Sequence, residues 1–96
     1  MQYIYPAVVY KESEENLFVM VLPDVNIVCE GNSIEEALIE AKDQLKIYLK
    51  CVIQFGANLA RATDFEQFRE EHKDDILLLV ECDVDDEKDD IVSILF

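Results

Sequence analysis

Ile27-Val28-Cys29-Glu30-Gly31-Asn32-Ser33-Ile34-Glu35-Glu36 is the stretch where the apolar period of the chain changes from 2 to 3.6. Ile27–Glu30 reads as a short strand, closed by Gly31-Asn32. Ser33-Ile34-Glu35-Glu36 then fits a capping box: the Ser33 hydroxyl takes the amide of Glu36, whose carboxylate reaches back to the amide of Ser33. Beyond it Ile34, Leu38, Ala41, Leu45, Tyr48 or Leu49, and Val52 follow at helical spacing and make one apolar stripe. Glu35 and Glu36 sit at the positive end of the helix dipole, with Lys46 and Lys50 toward the negative end. The spacing predicts a helix over 33–54, with Gly56 as its C′ residue.

Upstream, Tyr3-Ile4-Tyr5-Pro6-Ala7-Val8-Val9-Tyr10 is rich in strand formers. Pro6 lacks an amide proton, which places it at an edge or near the start of that strand. Lys11–Asn16 is a polar turn, Leu17–Leu22 a second strand, and Pro23-Asp24 its stop. Three short strands joined by tight turns make an antiparallel meander. Downstream, Asp64-Phe65-Glu66-Gln67 resembles a second capping box, and Phe65 with Phe68 marks a short helix through about His72. Ile76, Leu78, Val80, Cys82 and Val84 then alternate with Leu77, Leu79, Glu81, Asp83 and Asp85. That predicts a strand over about 76–84, apolar on both faces in its first half and so expected inside a sheet, away from its rim. An acidic turn, Asp85–Asp90, leads to Ile91-Val92-Ser93-Ile94-Leu95-Phe96, a final apolar segment expected to pair as a strand in its own sheet or across a dimer interface. The order β-β-β-α-(α)-β-(β) is an α+β architecture, a long helix packed on an antiparallel sheet in a single domain over 1–96.

Ninety-six residues leave room for one ordinary domain. Apolar residues at 51% place the chain among globular proteins and away from disordered ones. No apolar run approaches the ~20 residues that span a bilayer, and the N-terminus shows no signal peptide. Three cysteines without CxxC spacing argue against a disulfide framework or a zinc knuckle, and for a reduced cytoplasm. The net charge is −14, unevenly spread: residues 1–63 hold nine acids and five bases, residues 64–90 thirteen acids and three bases. That sign opposes direct binding to nucleic acid and to anionic membranes. It suits fast, steered encounter with a basic protein.

Tyr5-Pro6-Ala7-Val8-Val9-Tyr10-Lys11-Glu12, Phe18-Val19-Met20-Val21-Leu22-Pro23-Asp24 and Glu30-Gly31-Asn32-Ser33-Ile34-Glu35-Glu36-Ala37-Leu38, continuing to Ala41 and Leu45, resemble in order and spacing the HicB antitoxin family. Residues 3–54 carry most of the likeness, and the strand at 76–84 falls where the family's last sheet strand would. The resemblance implies a degenerate, partial ribonuclease-H-like fold. It also implies a small acidic protein that binds and neutralises HicA, a small basic toxin that cleaves messenger RNA, by covering the toxin's RNA-binding face. The chain departs from the pattern at Glu14-Glu15-Asn16, where the family usually has a Gly, and at Asn26-Ile27, where it usually has Pro-Gly. Many members also carry a C-terminal helix-turn-helix or ribbon-helix-helix domain for the operator. The few residues after the last sheet strand are too few for either, so the resemblance extends to toxin neutralisation and not to operator binding.

Candidate sites divide into surfaces and chemistry. Glu12, Glu14, Glu15 and Asp24 lie in the first two turns and are the expected contacts for a basic partner. Lys42, Lys46 and Lys50 recur every four residues along one line of the long helix. With Ile91, Ile94 and Phe96 of the apolar end, they are the expected contacts of a homodimer or higher homo-oligomer. A ribonuclease-H-like fold also raises metal-dependent nuclease chemistry, for which Asp24, Glu30, Asp83 and Asp85 are the candidate carboxylates. With so many acids, turn and edge charges are the better account of those four. Asp83–Asp89 is not a calcium loop, since Lys88 stands at its sixth position and Ile94 at its twelfth. His72 lacks a nucleophile signature and reads as a surface helix residue. Cys29, Cys51 and Cys82 fall at apolar positions and read as small core residues. No cofactor, metal or catalytic group is expected. The alternative to an antitoxin is a stand-alone interaction or regulatory module of the same fold, with the nuclease a distant third.

Overall fold

The computed structural model describes residues 2–12, 14 and 16–84. It contains β1 (Gln2–Glu12), β2 (Leu17–Leu22), β3 (Ile27–Gly31), α1 (Ile34–Phe55), α2 (Phe65–Glu71) and β4 (Ile76–Asp83), with one 3-10 turn at Pro23–Val25 between β2 and β3. The four strands form one antiparallel sheet in the order β3-β2-β1-β4. Asn16 and Asn26 close the two hairpin connections with positive φ, a conformation that Asn tolerates better than most residues.

Strand register sorts the side chains onto two faces. Val9 pairs with Met20 and Met20 with Cys29, while Tyr5 pairs with Val80 and Tyr3 with Cys82. These residues line the inner face, which α1 covers with Ala37, Ala41, Leu45 and Leu49, all fully buried. Burying each large side chain contributes about 1.5–3 kcal/mol. The stripe is centred on the 37-41-45-49 line, so Ile34, Leu38 and Tyr48 flank it half-buried. Ala37, omitted from the expected stripe, lies at its heart because a small residue lets the helix approach β3. A Cβ added at Gly31 would stand 2.6 Å from the amide nitrogen of Ala37 and 2.8 Å from Cβ of Glu36.

The helix starts and stops as its sequence dictates, with one change. Ser33 Oγ accepts from the Glu36 amide at 3.1 Å, but the Glu36 carboxylate accepts from the amide of Asn32 at 2.9 Å, one residue earlier than a capping box requires. At the other end Gly56 adopts φ +69°, donating to Ile53 while Ala57 donates to Val52, a Schellman pair. The second expected capping box does not form: Asp64 precedes α2 without a side-chain cap, and Gln67 donates forward to Glu71.

Two strand expectations change. β4 pairs only with β1 among the described residues, so it is an edge strand and not an interior one. Its apolar first half is correspondingly half-exposed, with Ile76 at 53% and Leu79 at 48%. Apolarity on both faces signalled packing of Leu78 and Val80 under α1 and a partly open outer face, not a second neighbouring strand. Pro6 lies inside β1, where the ladder to β2 begins only at Val8. The residue is therefore at a locally open side, which its missing amide requires. The final segment with Ile91, Ile94 and Phe96 lies outside the described residues.

Replacing Gly31 by Ala should destabilise the fold by about 1–3 kcal/mol through overpacking, and Leu45→Ala by about 2–5 kcal/mol through a core cavity. Ile39→Ala, on the exposed side of α1, should change stability by under about 0.5 kcal/mol. Urea unfolding followed by circular dichroism checks all three.

Candidate functional site

The four acids expected to face one partner do not form one group. Glu12 ends β1 opposite Leu17, with Glu14 exposed in the adjoining turn, whereas Asp24 follows β2 at its far end. β2 separates them by roughly 17 Å, at about 3.4 Å per residue. Glu15 lies outside the described residues.

Asp24 is moreover occupied. Its Oδ2 accepts from the Thr63 amide at 2.8 Å and its Oδ1 from the Thr63 hydroxyl at 2.7 Å. Nearby, Tyr5 Oη donates to the Ala60 carbonyl at 2.6 Å, and the Ala60 amide donates to Tyr48 Oη at 3.1 Å. These four bonds fasten the 57–64 connection to β1, to α1 and to the turn after β2. Burial, reinforced by Tyr48, Tyr3 and Asp24, raises the Tyr5 pKa, so the phenol stays protonated and donating. Asp24 is therefore a structural carboxylate.

The candidate nuclease acids are dispersed. Glu30 sits on the β3 edge beside Val19, Asp83 pairs with Gln2 at the opposite end of the far edge strand, and Asp24 lies in the turn after β2. Three carboxylates so separated cannot share metal ions, which need ligands at 2.0–2.6 Å. Asp85 lies outside the described residues. His72 terminates α2, packs on the Phe68 ring with centroids 4.6 Å apart, and places Nδ1 3.2 Å from Asp75. Cys29 and Cys82 are buried, and burial raises both thiol pKa values. At Cys82 this outweighs the opposing field of Lys46, Lys42 and Lys50. Cys51 is half-buried.

That field places the lysine line. Lys42, Lys46 and Lys50 run along the flank of α1 nearer β4. The outer face of the sheet is different. Its strand residues are Gln2, Ile4, Pro6, Val8, Tyr10 and Glu12, then Leu17, Val19 and Val21, then Val28 and Glu30, and lastly Leu77, Leu79, Glu81 and Asp83. Not one of them is basic. The helical side mixes both signs, since α1 also carries Glu35, Glu36, Glu40 and Asp43 beside its three lysines.

The chain superposes on the N-terminal domain of the Burkholderia pseudomallei antitoxin HicB with TM-score 0.71 and 18% identity, over 86% of this chain and 99% of that one. Against the longer HicB chain from the same organism the TM-score is 0.70 at 18% identity, over 83% of this chain. A chain in a toxin-antitoxin complex from Streptococcus pneumoniae matches with TM-score 0.72 and 20% identity, over 86% of this chain and 70% of that one. The present chain spans 62% of the length of the longer HicB antitoxin. No curated protein matches it by sequence. The family model for the HicB-like antitoxin of bacterial toxin-antitoxin systems matches residues 5–94, and the chain belongs to that family.

Removing the Asp24–Thr63 contact with Asp24→Ala should cost about 1–3 kcal/mol. Thr63→Val, which removes only the hydroxyl, should cost less. In a double-mutant cycle the two should be strongly non-additive, and hydrogen exchange should speed up over residues 57–64. Additive effects without faster exchange would show that Asp24 does not hold this connection.

Proposed function

We propose that this chain is an antitoxin-like binding protein that neutralises a small, basic, RNA-cleaving toxin of the HicA type by covering the toxin's RNA-binding face. The observation that carries the reading is the family match across residues 5–94 on a domain with a net charge of −14. A toxin that binds RNA must present cations to phosphate. An acidic domain competes for those cations without any catalytic group of its own, so the proposed role is non-enzymatic. Glu12 and Glu14, exposed at the β1–β2 turn, with Glu15 beside them in sequence, are proposed contacts. Asp24, half-buried and bonded to Thr63 at the far end of β2, is the fourth proposed contact. For self-association, the same charge logic assigns Lys42, Lys46 and Lys50 to the acidic second half of another copy, and Ile91, Ile94 and Phe96 remain proposed apolar contacts.

Affinity for a purified HicA-type toxin from the same genome should fall at least about fivefold between 50 and 500 mM NaCl, because the Debye length shrinks well below 10 Å. Glu12→Lys with Glu14→Lys should lower it further at low salt. Isothermal titration calorimetry reads both. Affinity unchanged across that range would contradict an electrostatically driven capture, and absence of binding would contradict the function.

A further inference from the structure

We propose that two copies of this chain join through their β4 edges, the strands running antiparallel about a two-fold axis at Leu79, to make one continuous sheet. The proposal rests on the self-association put forward above, which it deepens, and it does not depend on a toxin. Among the described residues β4 pairs only with β1, so its other side is an open edge. An open edge offers a row of backbone donors and acceptors to a further strand, and natural edges are commonly blunted by Pro, Lys, a bulge or short length. Ile76–Asp83 is eight residues long and holds neither Pro nor Lys.

Register selects the axis. Leu77, Leu79 and Glu81 lie on the outer face, and Ile76, Leu78, Val80 and Cys82 on the inner one. Side chains alternate along a strand, so the sheet continues only where opposed residues share a face. With the axis at Leu79, Leu79 meets its own copy, Leu78 meets Val80, Ile76 meets Cys82, and Leu77 meets Glu81. The two most exposed apolar side chains of the strand, Ile76 and Leu79, are then both covered. Glu81, which already accepts from Gln2 at 3.0 Å, faces no second carboxylate. The one like-charge pair, Asp83 with Asp75, falls beyond the ends of the ladder. An axis at Leu78 would oppose Glu81 with Asp75, and one at Val80 would set Leu79 against Glu81.

Charge selects β4 over β3, the other open edge. On the β3 side the charged groups of strand and helix are all acids. Glu30 is exposed on the strand, Glu36 accepts from the Asn32 amide, and Glu40 acts on Cys29. Asp43 follows Glu36 by seven residues, nearly two full turns, and so lies on the same side of α1. A second copy of a chain with net charge −14 is repelled there. The β4 flank carries Lys42, Lys46 and Lys50, whose field reaches Cys82, and Glu35 stands on that line about 10 Å before Lys42, at 1.5 Å per residue. Because Cys82 meets Ile76 of the second copy, these lysines approach that copy's Asp74 and Asp75, both exposed and just ahead of its β4.

Sedimentation equilibrium of the full chain over a concentration series tests the assignment. Leu79→Lys sets two cations against each other at the axis and should raise the dimer dissociation constant at least roughly tenfold, with thermal unfolding confirming a folded chain. Val28→Lys, on the β3 edge, should leave the constant within about threefold of the unaltered chain. Lys46→Glu should weaken the dimer about two- to fivefold, and Asp74→Lys added to it should restore the affinity. Oxidation of Leu79→Cys in a Cys51→Ser background should trap a covalent dimer, since opposed Cα atoms about 4.5–5.5 Å apart suit a disulfide. A dimer dispersed by Val28→Lys yet indifferent to Leu79→Lys would refute the β4 edge and leave self-association standing. An unaltered chain that stays monomeric at every concentration would refute both. An intrachain disulfide between Leu79→Cys and Ile94→Cys, in place of the intermolecular one, would give the edge to residues 91–96 and overturn the proposal.

Discussion

Everything in this domain depends on how closely α1 lies on the inner face of the sheet. Ala37 and Ala41 occupy the first turns of its buried line, and Gly31 just before it has no side chain to hold the helix off. That closeness brings Leu45 and Leu49 against Val9, Met20, Leu22 and Val80 in one core. It also fixes the roll of the helix. With the 37-41-45-49 line turned inward, Lys42, Lys46 and Lys50 must emerge on the flank over β4. The same packing leaves the other face of the sheet free of α1, and strand alternation puts its acids there.

A second layer of order comes from polar ties around the 57–64 connection. A short irregular segment after a long helix would ordinarily be among the least stable parts of a domain. Here Asp24, Tyr5 and Tyr48 together engage both Ala60 backbone groups and two groups of Thr63. The chain is thereby directed toward α2 and delivered to β4 beside β1. The placement of β4 matters in turn, because its outer residues Leu79 and Glu81 complete one side of the sheet surface.

Most of the architecture was legible because it rests on local patterns. The change of period at Gly31-Asn32-Ser33 marked α1, the polar turns marked the meander, and the alternation after Asp75 marked β4. The resemblance carried by residues 3–54 pointed to the family that the match over 5–94 establishes. What escaped is non-local. Asp24 and Thr63 are 39 residues apart, and nothing in either neighbourhood announces their contact. Asp24 therefore read as a free acid. Ala37 escaped because apolar stripes are traced through large residues, whereas close approach selects small ones. β4 read as an interior strand because apolarity on both faces has two causes, a second neighbouring strand or a partly exposed interaction surface, and periodicity does not separate them. The outer-face acids are scattered over 70 residues of sequence and become a rim only when register folds them together.

In the role proposed for it, this acidic domain silences a toxin by occupying the surface that RNA needs. The most direct measurement is a titration of RNA cleavage by a purified HicA-type toxin with this chain, at toxin concentrations well above the dissociation constant. The account predicts a linear fall in cleavage that reaches zero at a fixed stoichiometric ratio. Cleavage that persists at saturating excess of the chain, while the two proteins remain bound, would contradict it.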